Sequence, residues 1–168
     1  MIMADFYGTA AGWRIYHIAR GRNVDAYDDD DEINAALLVA SERNDAKYRT
    51  GFSGNKVGYR AQVREFPRFN GFDRNGDAIA SDSVPTEMIN ATYEAALRQL
   101  VEPGSLSVDW TPNKYKRASV DGAVSVEWNV FGSAMDAQTQ FLIIDEIIAP
   151  ILTGSGNYSP LSGPAVRV

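Results

Sequence analysis

The sequence predicts a mainly α-helical fold: a small bundle of about four helices with an inserted β-hairpin and an extended C-terminal tail. Three observations carry this. Apolar residues recur at three- and four-residue spacing in four separate stretches, an Asp-Gly pair sits among alternating valines, and residues 154–168 are rich in glycine, serine and proline. Together they predict one helical domain over 1–153, with the hairpin at about 114–131, followed by an extended tail over 154–168.

From Thr9 to about Arg20, "TAAGWRIYHIAR" places Trp13, Tyr16, His17 and Arg20 at helical spacing, with Gly21 as the stop. Gly12 counts against this helix, because a mid-helix glycine costs about 1 kcal/mol relative to alanine. Asp28 to Asp31 precede "EINAALLVASERNDAKYR", where Ile33, Ala36, Leu37, Ala40, Asn44 and Tyr48 form a helical stripe. Carboxylates at that position face the orphan amides and the positive dipole end of the helix. "TGFSGNKVG" is a glycine-rich joint, followed around Tyr59 to Glu65 by one or two helical turns that Pro67 ends.

Helical structure resumes near Ser83, a cap candidate, with Pro85 in the first turn. Ile89, Tyr93, Ala96, Leu97, Leu100 and Val101 then share a stripe that Pro103 and Gly104 close. "YKRASVDGAVSVEWNVF" alternates around an Asp-Gly turn, the short-range signature of a hairpin. In "AQTQFLIIDEIIAPIL", Phe141, Ile144, Ile148 and Ile151 lie on one helical face, and Leu142, Ile143 and Ile147 widen it enough to predict burial on more than one side. Pro150 falls near its end.

A chain of 168 residues supports one domain with a real core. It has no cysteine and a single histidine, His17, which removes disulfides, thiolate metal sites and multi-histidine sites. No apolar run reaches membrane-spanning length, and the N-terminus has neither the basic flank nor the apolar core of a signal peptide, so an intracellular soluble protein or part of an assembly is expected. The net charge of −6 argues against broad nonspecific binding to nucleic acid.

Asp73, Asn75 and Asp77 in "DRNGDAI" imitate the first three ligands of a calcium loop, but Gly76 stands fourth rather than sixth and Val84 occupies the place of the bidentate glutamate. An Asn-Gly turn explains them better. Asp28 to Asp31 read as a solvated helix cap rather than a magnesium site, and nothing brings Glu94 together with Glu65 or Asp145 as a catalytic pair. His17 reads as a packed residue. No catalytic, cofactor-binding or metal site is predicted, and no enzyme. Phe66, Phe69 and Phe72 are divided between plugging the core and anchoring an interface.

The order "GWRIYHIARG", an acid-capped second helix, "REFPR", "GFDRNGDAIASDSVPTEM", a long helix, a basic-to-valine hairpin and an Ile-rich last helix resembles the small head-tail adaptor or connector proteins of long-tailed bacteriophages. That group is often labelled DnaT-like single-stranded DNA-binding. The resemblance spans about Gly8 to Gly154; Phe66 stands where the group usually has tryptophan. It implies a structural virion protein at the head-tail junction, assembled in the host cytoplasm: a dodecameric ring beneath the portal that binds the next neck or tail-completion protein and lets packaged double-stranded DNA pass. It further implies portal docking by Tyr158, Leu161, Pro164, Val166 and Val168, and subunit or channel contacts from Lys114, Lys116, Arg117, Trp128 and Val130. The alternative is a single-stranded DNA-binding module, with Trp110 and Tyr115 stacking on bases beside Lys114, Lys116 and Arg117.

Overall fold

The computed structural model describes residues 5–107, 117–120, 124–127 and 141–153. Helix α1 (Ala10–Ile18) begins where the Thr9 hydroxyl accepts from the Gly12 amide, and the chain turns away at Gly21, whose φ of +71° suits glycine. Helix α2 (Asp30–Tyr48) is capped by Asp29, which accepts from the Asp31 amide, with Asp30, Asp31 and Glu32 in its first turn. Asp30 also takes the Arg14 guanidinium at 2.5 Å. The acidic run is therefore a helix cap, as its sequence implies. Its helix buries Ile33, Ala36, Leu37, Ala40, Asn44 and Tyr48, the stripe read from spacing.

Helix α3 (Thr86–Val101) corrects the sequence reading on two counts. Pro85, not Ser83, occupies the cap position, and no side chain bonds the first amides. The buried face is Met88, Ala91, Thr92 and Ala95 with Tyr93, Glu94 and Ala96, whereas Ile89, Leu97 and Leu100 are half-buried and Val101 is 67% exposed. Small residues explain the shift. They let α2 and α3 pack closely, and Asn44 Nδ2 donates to Thr92 Oγ1 at 3.4 Å across that seam. Counting large apolar residues misses a face built from small ones.

Helix α4 (Leu142–Ile148) runs into a 3₁₀ turn (Ala149–Ile151) that contains Pro150. Ile144, Ile148 and Ile151 are buried as predicted, and Ile147 is half-buried against the core; Leu142, 55% exposed, and the exposed Ile143 correct the expectation that the whole widened face is buried. The centre of the bundle is formed by Trp13, Ile33, Leu37, Tyr48, Met88, Ile144 and Ile148, all fully buried.

Between α2 and α3, a two-residue strand β1 (Asn55–Lys56) pairs antiparallel with β2 (Arg68–Phe69), enclosing a 3₁₀ turn (Tyr59–Ala61). A second compact unit, within 107–140, carries the predicted hairpin. Strand β3 (Arg117–Val120) pairs with β4 (Val124–Glu127) in the register Arg117 to Glu127 and Val120 to Val124, flanking Asp121-Gly122. The mainly helical bundle with an inserted hairpin is the fold read from the sequence.

Gly12, which counted against α1, has a packing role. A Cβ there would lie 2.3 Å from the Tyr93 hydroxyl oxygen, so the missing side chain lets α1 seat on α3. Gly12→Ala is accordingly expected to lower stability by about 1–3 kcal/mol through overpacking, although alanine gains about 1 kcal/mol in helix propensity. Urea unfolding followed by far-ultraviolet circular dichroism checks the sign.

Candidate nucleic-acid interface

Four of the five basic residues in 49–72 lie between Lys56 and Arg68, in the loop lobe that joins α2 to α3, yet most of these charges are already committed. Arg64 is buried, donating to the Asp5 carbonyl at 2.5 Å and pairing with Glu42 at 3.2 Å and Asp45 at 3.5 Å. Arg68 is buried as well. It donates to the carbonyls of Ser53 (2.7 Å) and Gly54 (2.6 Å) and pairs with Glu65 at 2.7 Å, while Lys56 reaches the same carboxylate at 3.1 Å. Both arginines of "REFPR" thus staple the lobe together. Phe66 between them, across a cis Phe66–Pro67 bond, packs edge-on against Phe52 with centroids 4.9 Å apart.

Gln62 laces the tip of the lobe. Its Oε1 accepts from the Gly58 amide at 2.9 Å, and its Nε2 donates to the carbonyls of Arg64 and Pro67 at 2.9 and 3.0 Å. What the tip leaves in solvent is Val57, Tyr59, Arg60 and Val63. Tyr59 is 72% exposed at φ +50°, and its ring meets half-buried Phe69 edge to face at 5.9 Å. Among the described residues, Arg20, Arg49, Arg60 and Arg74 are exposed and enter no ion pair, and Arg20 lies over the Tyr16 ring.

The titratable groups of the interior are structural. Glu94, fully buried on α3, accepts from Arg22 Nη1 at 2.9 and 3.0 Å, from Arg98 Nη1 at 3.1 Å and from the Tyr16 hydroxyl at 3.2 Å. Burial raises its pKa, but the bonds and charges of the two arginines outweigh that and hold the carboxyl below its usual range. His17 sits beside it. Its Nε2 donates to the Tyr93 carbonyl at 3.1 Å and its Nδ1 accepts from Arg22 at 3.0 Å, while burial lowers its pKa. A proton on Nδ1 would point at a guanidinium, so the ring is neutral and packed, not poised as a base.

Asp45 accepts from the Tyr7 hydroxyl at 2.7 Å and from the Glu65 amide at 3.3 Å, and Asp145 accepts from Lys47 at 2.5 Å and from the Tyr48 hydroxyl. Glu94, Glu65 and Asp145 therefore belong to separate ion pairs and form no catalytic pair. The Asp73 carboxylate caps the amides of Asn75 and Asp77 at 2.8 and 2.9 Å in a turn closed by Gly76 at φ +92°, which makes it a turn, as its sequence implies. Among the described residues, no group of three or more acidic or histidine side chains could hold a metal ion, and no helix is long and apolar enough to cross a membrane. Every buried side-chain nitrogen or oxygen among them has a partner.

Of the residues singled out in the sequence, Phe66 takes the core place left open for one of the three phenylalanines, Phe69 is half-buried against Tyr59, and Phe72 is 48% exposed. Arg117 lies in β3 opposite Glu127. Lys114, Lys116, Trp128, Val130, Trp110, Tyr115 and the tail residues Tyr158, Leu161, Pro164, Val166 and Val168 lie outside the described residues. The Tyr59–Arg60 tip was missed: "GYRAQ" has no periodicity, and only the turn it makes sets the aromatic and the cation outward.

A family model described as "Putative DnaT-like ssDNA binding protein" matches residues 2–168. The chain belongs to this family. No match was found among curated proteins or among solved structures. The DnaT-like label reached from "REFPR" and the helix order is thus the family found. Its description names single-stranded DNA binding, not a virion connector, and this overturns the expectation of a virion component located at a head-tail junction.

Proposed function

We propose that this DnaT-like chain binds single-stranded DNA and carries out no chemistry on it. The observation that carries this reading is the exposed Tyr59–Arg60 tip, where a largely solvated ring stands beside a cation that enters no ion pair among the described residues, in a chain whose net charge is −6. Charge of that sign and locality attracts phosphate, whereas the negative remainder of the molecule opposes indiscriminate electrostatic binding. The family description agrees. The sequence supplies a second aromatic and basic cluster, Trp110, Lys114, Tyr115, Lys116 and Arg117, of the composition that stacks on bases and tracks a backbone.

Competition between a labelled oligothymidylate and unlabelled DNA tests this. Single-stranded competitor is expected to displace the label at much lower concentration than duplex of the same length, because duplex stacking hides the base faces. Equal displacement by both would reduce the interaction to phosphate attraction and refute the reading.

A further inference from the structure

The lobe spends its internal polar groups on its own rigidity and leaves one aromatic and one cation unspent at its tip. Gln62 ties Gly58 to the carbonyls of Arg64 and Pro67, Glu65 is clamped by Lys56 and Arg68, and Arg68 grips the Ser53 and Gly54 carbonyls. Tyr59 then stands 72% exposed in a left-handed conformation that residues other than glycine adopt at a cost. Core packing does not account for it: among the described residues the ring's one aromatic contact is edge-on with Phe69, which β2 holds opposite Asn55. A flat, largely solvated ring on a pre-organised support loses little conformational freedom when something stacks on it.

We propose that Tyr59 is a stacking platform for an unpaired base and that Arg60, exposed and free of any carboxylate among the described residues, is the phosphate contact beside it. This rests on the single-stranded DNA reading above and gives it an address. Stacking uses the π face that every base has, so the platform tolerates sequence and requires only that the base be unpaired. Phosphate is favoured over an acidic protein partner because the cation stands beside a largely solvated flat ring, which suits a phosphate that carries a stackable base and offers nothing to a carboxylate side chain.

The test is fluorescence anisotropy of a labelled oligothymidylate with the full chain and its Tyr59→Ala, Tyr59→Trp, Arg60→Gln and Arg60→Lys variants. Alanine keeps a Cβ, and with it the left-handed backbone cost, so Y59A removes the ring alone; circular dichroism confirms that each variant is folded. Y59A is expected to bind about tenfold to a hundredfold more weakly, with Y59W retaining affinity. R60Q is expected to flatten the dependence of log affinity on log salt by about 0.7, with R60K restoring it. Binding by the wild type that Y59A leaves unchanged would overturn the platform while sparing the single-stranded DNA reading. Absence of binding by the folded wild type at low salt would overturn both.

Discussion

Replacing Glu94 with alanine is expected to cost about 3–5 kcal/mol of folding stability, because the fully buried carboxylate that joins two arginines and a tyrosine hydroxyl is lost and both partly buried cations are left without their counter-ion. Arg22 and Arg98 both point a guanidinium nitrogen at this carboxylate, and Tyr16 adds a hydroxyl. Without it the two cations face each other across a cavity left in the core. For a chain of this length about 2–4 °C of melting temperature accompanies each kcal/mol, so a drop of roughly 6–20 °C is expected. Glu94→Gln keeps the volume and an acceptor but not the charge, and should lose less.

The pH dependence has a definite sign. The folded pKa of Glu94 is depressed, so its contribution is fully present above the ordinary glutamate value of about 4.3 and disappears as pH falls through the lower folded value. Urea unfolding at a series of pH values should therefore show wild type losing stability below about pH 4.3 more steeply than E94Q. Parallel profiles would place the charge balance elsewhere.

Trp13→Ala is the second large loss, also about 3–5 kcal/mol. Trp13 is fully buried, meets His17 and Tyr27 edge-on at 4.7 and 5.7 Å, and donates its indole N–H to the Tyr93 carbonyl at 3.2 Å. Its removal opens a cavity where α1 meets α3 and strips the support from His17. Trp13→Phe should recover most of the packing but not the hydrogen bond, an expected residual loss of about 1 kcal/mol. Trp110 and Trp128 also fluoresce, so circular dichroism is the appropriate signal.

Legibility in the sequence followed the physics of each element. Helices α1 and α2 could be read because a cap, a large-residue stripe and a stop coincide, as with Asp29, Ile33, Leu37 and Tyr48. The hairpin could be read because Asp121-Gly122 sits between alternating valines. The buried face of α3 could not, since Ala91, Thr92 and Ala95 carry almost no hydropathy signal and owe their burial to close approach by α2. Nor could the pairing of Glu94 with Arg22, 72 residues apart, because the partner is chosen by tertiary packing.

The candidate site was harder still. Local charge marks Lys56, Arg60, Arg64 and Arg68 alike, and only the folded lobe separates the arginines that hold it together from the one that faces outward. "REFPR", one of the motifs behind the family resemblance, is a structural staple here. The function attached to that resemblance was wrong in its virion setting, since a motif that builds a lobe says nothing about the assembly that uses it.

The measurement that bears most directly on the account is the salt-dependent titration of the full chain against labelled oligothymidylate. Saturable binding that weakens with salt, at a logarithmic slope of about −0.7 to −1.4, is the result expected for one or two phosphates neutralised beside a stacked base. No binding at low salt by folded protein would contradict it.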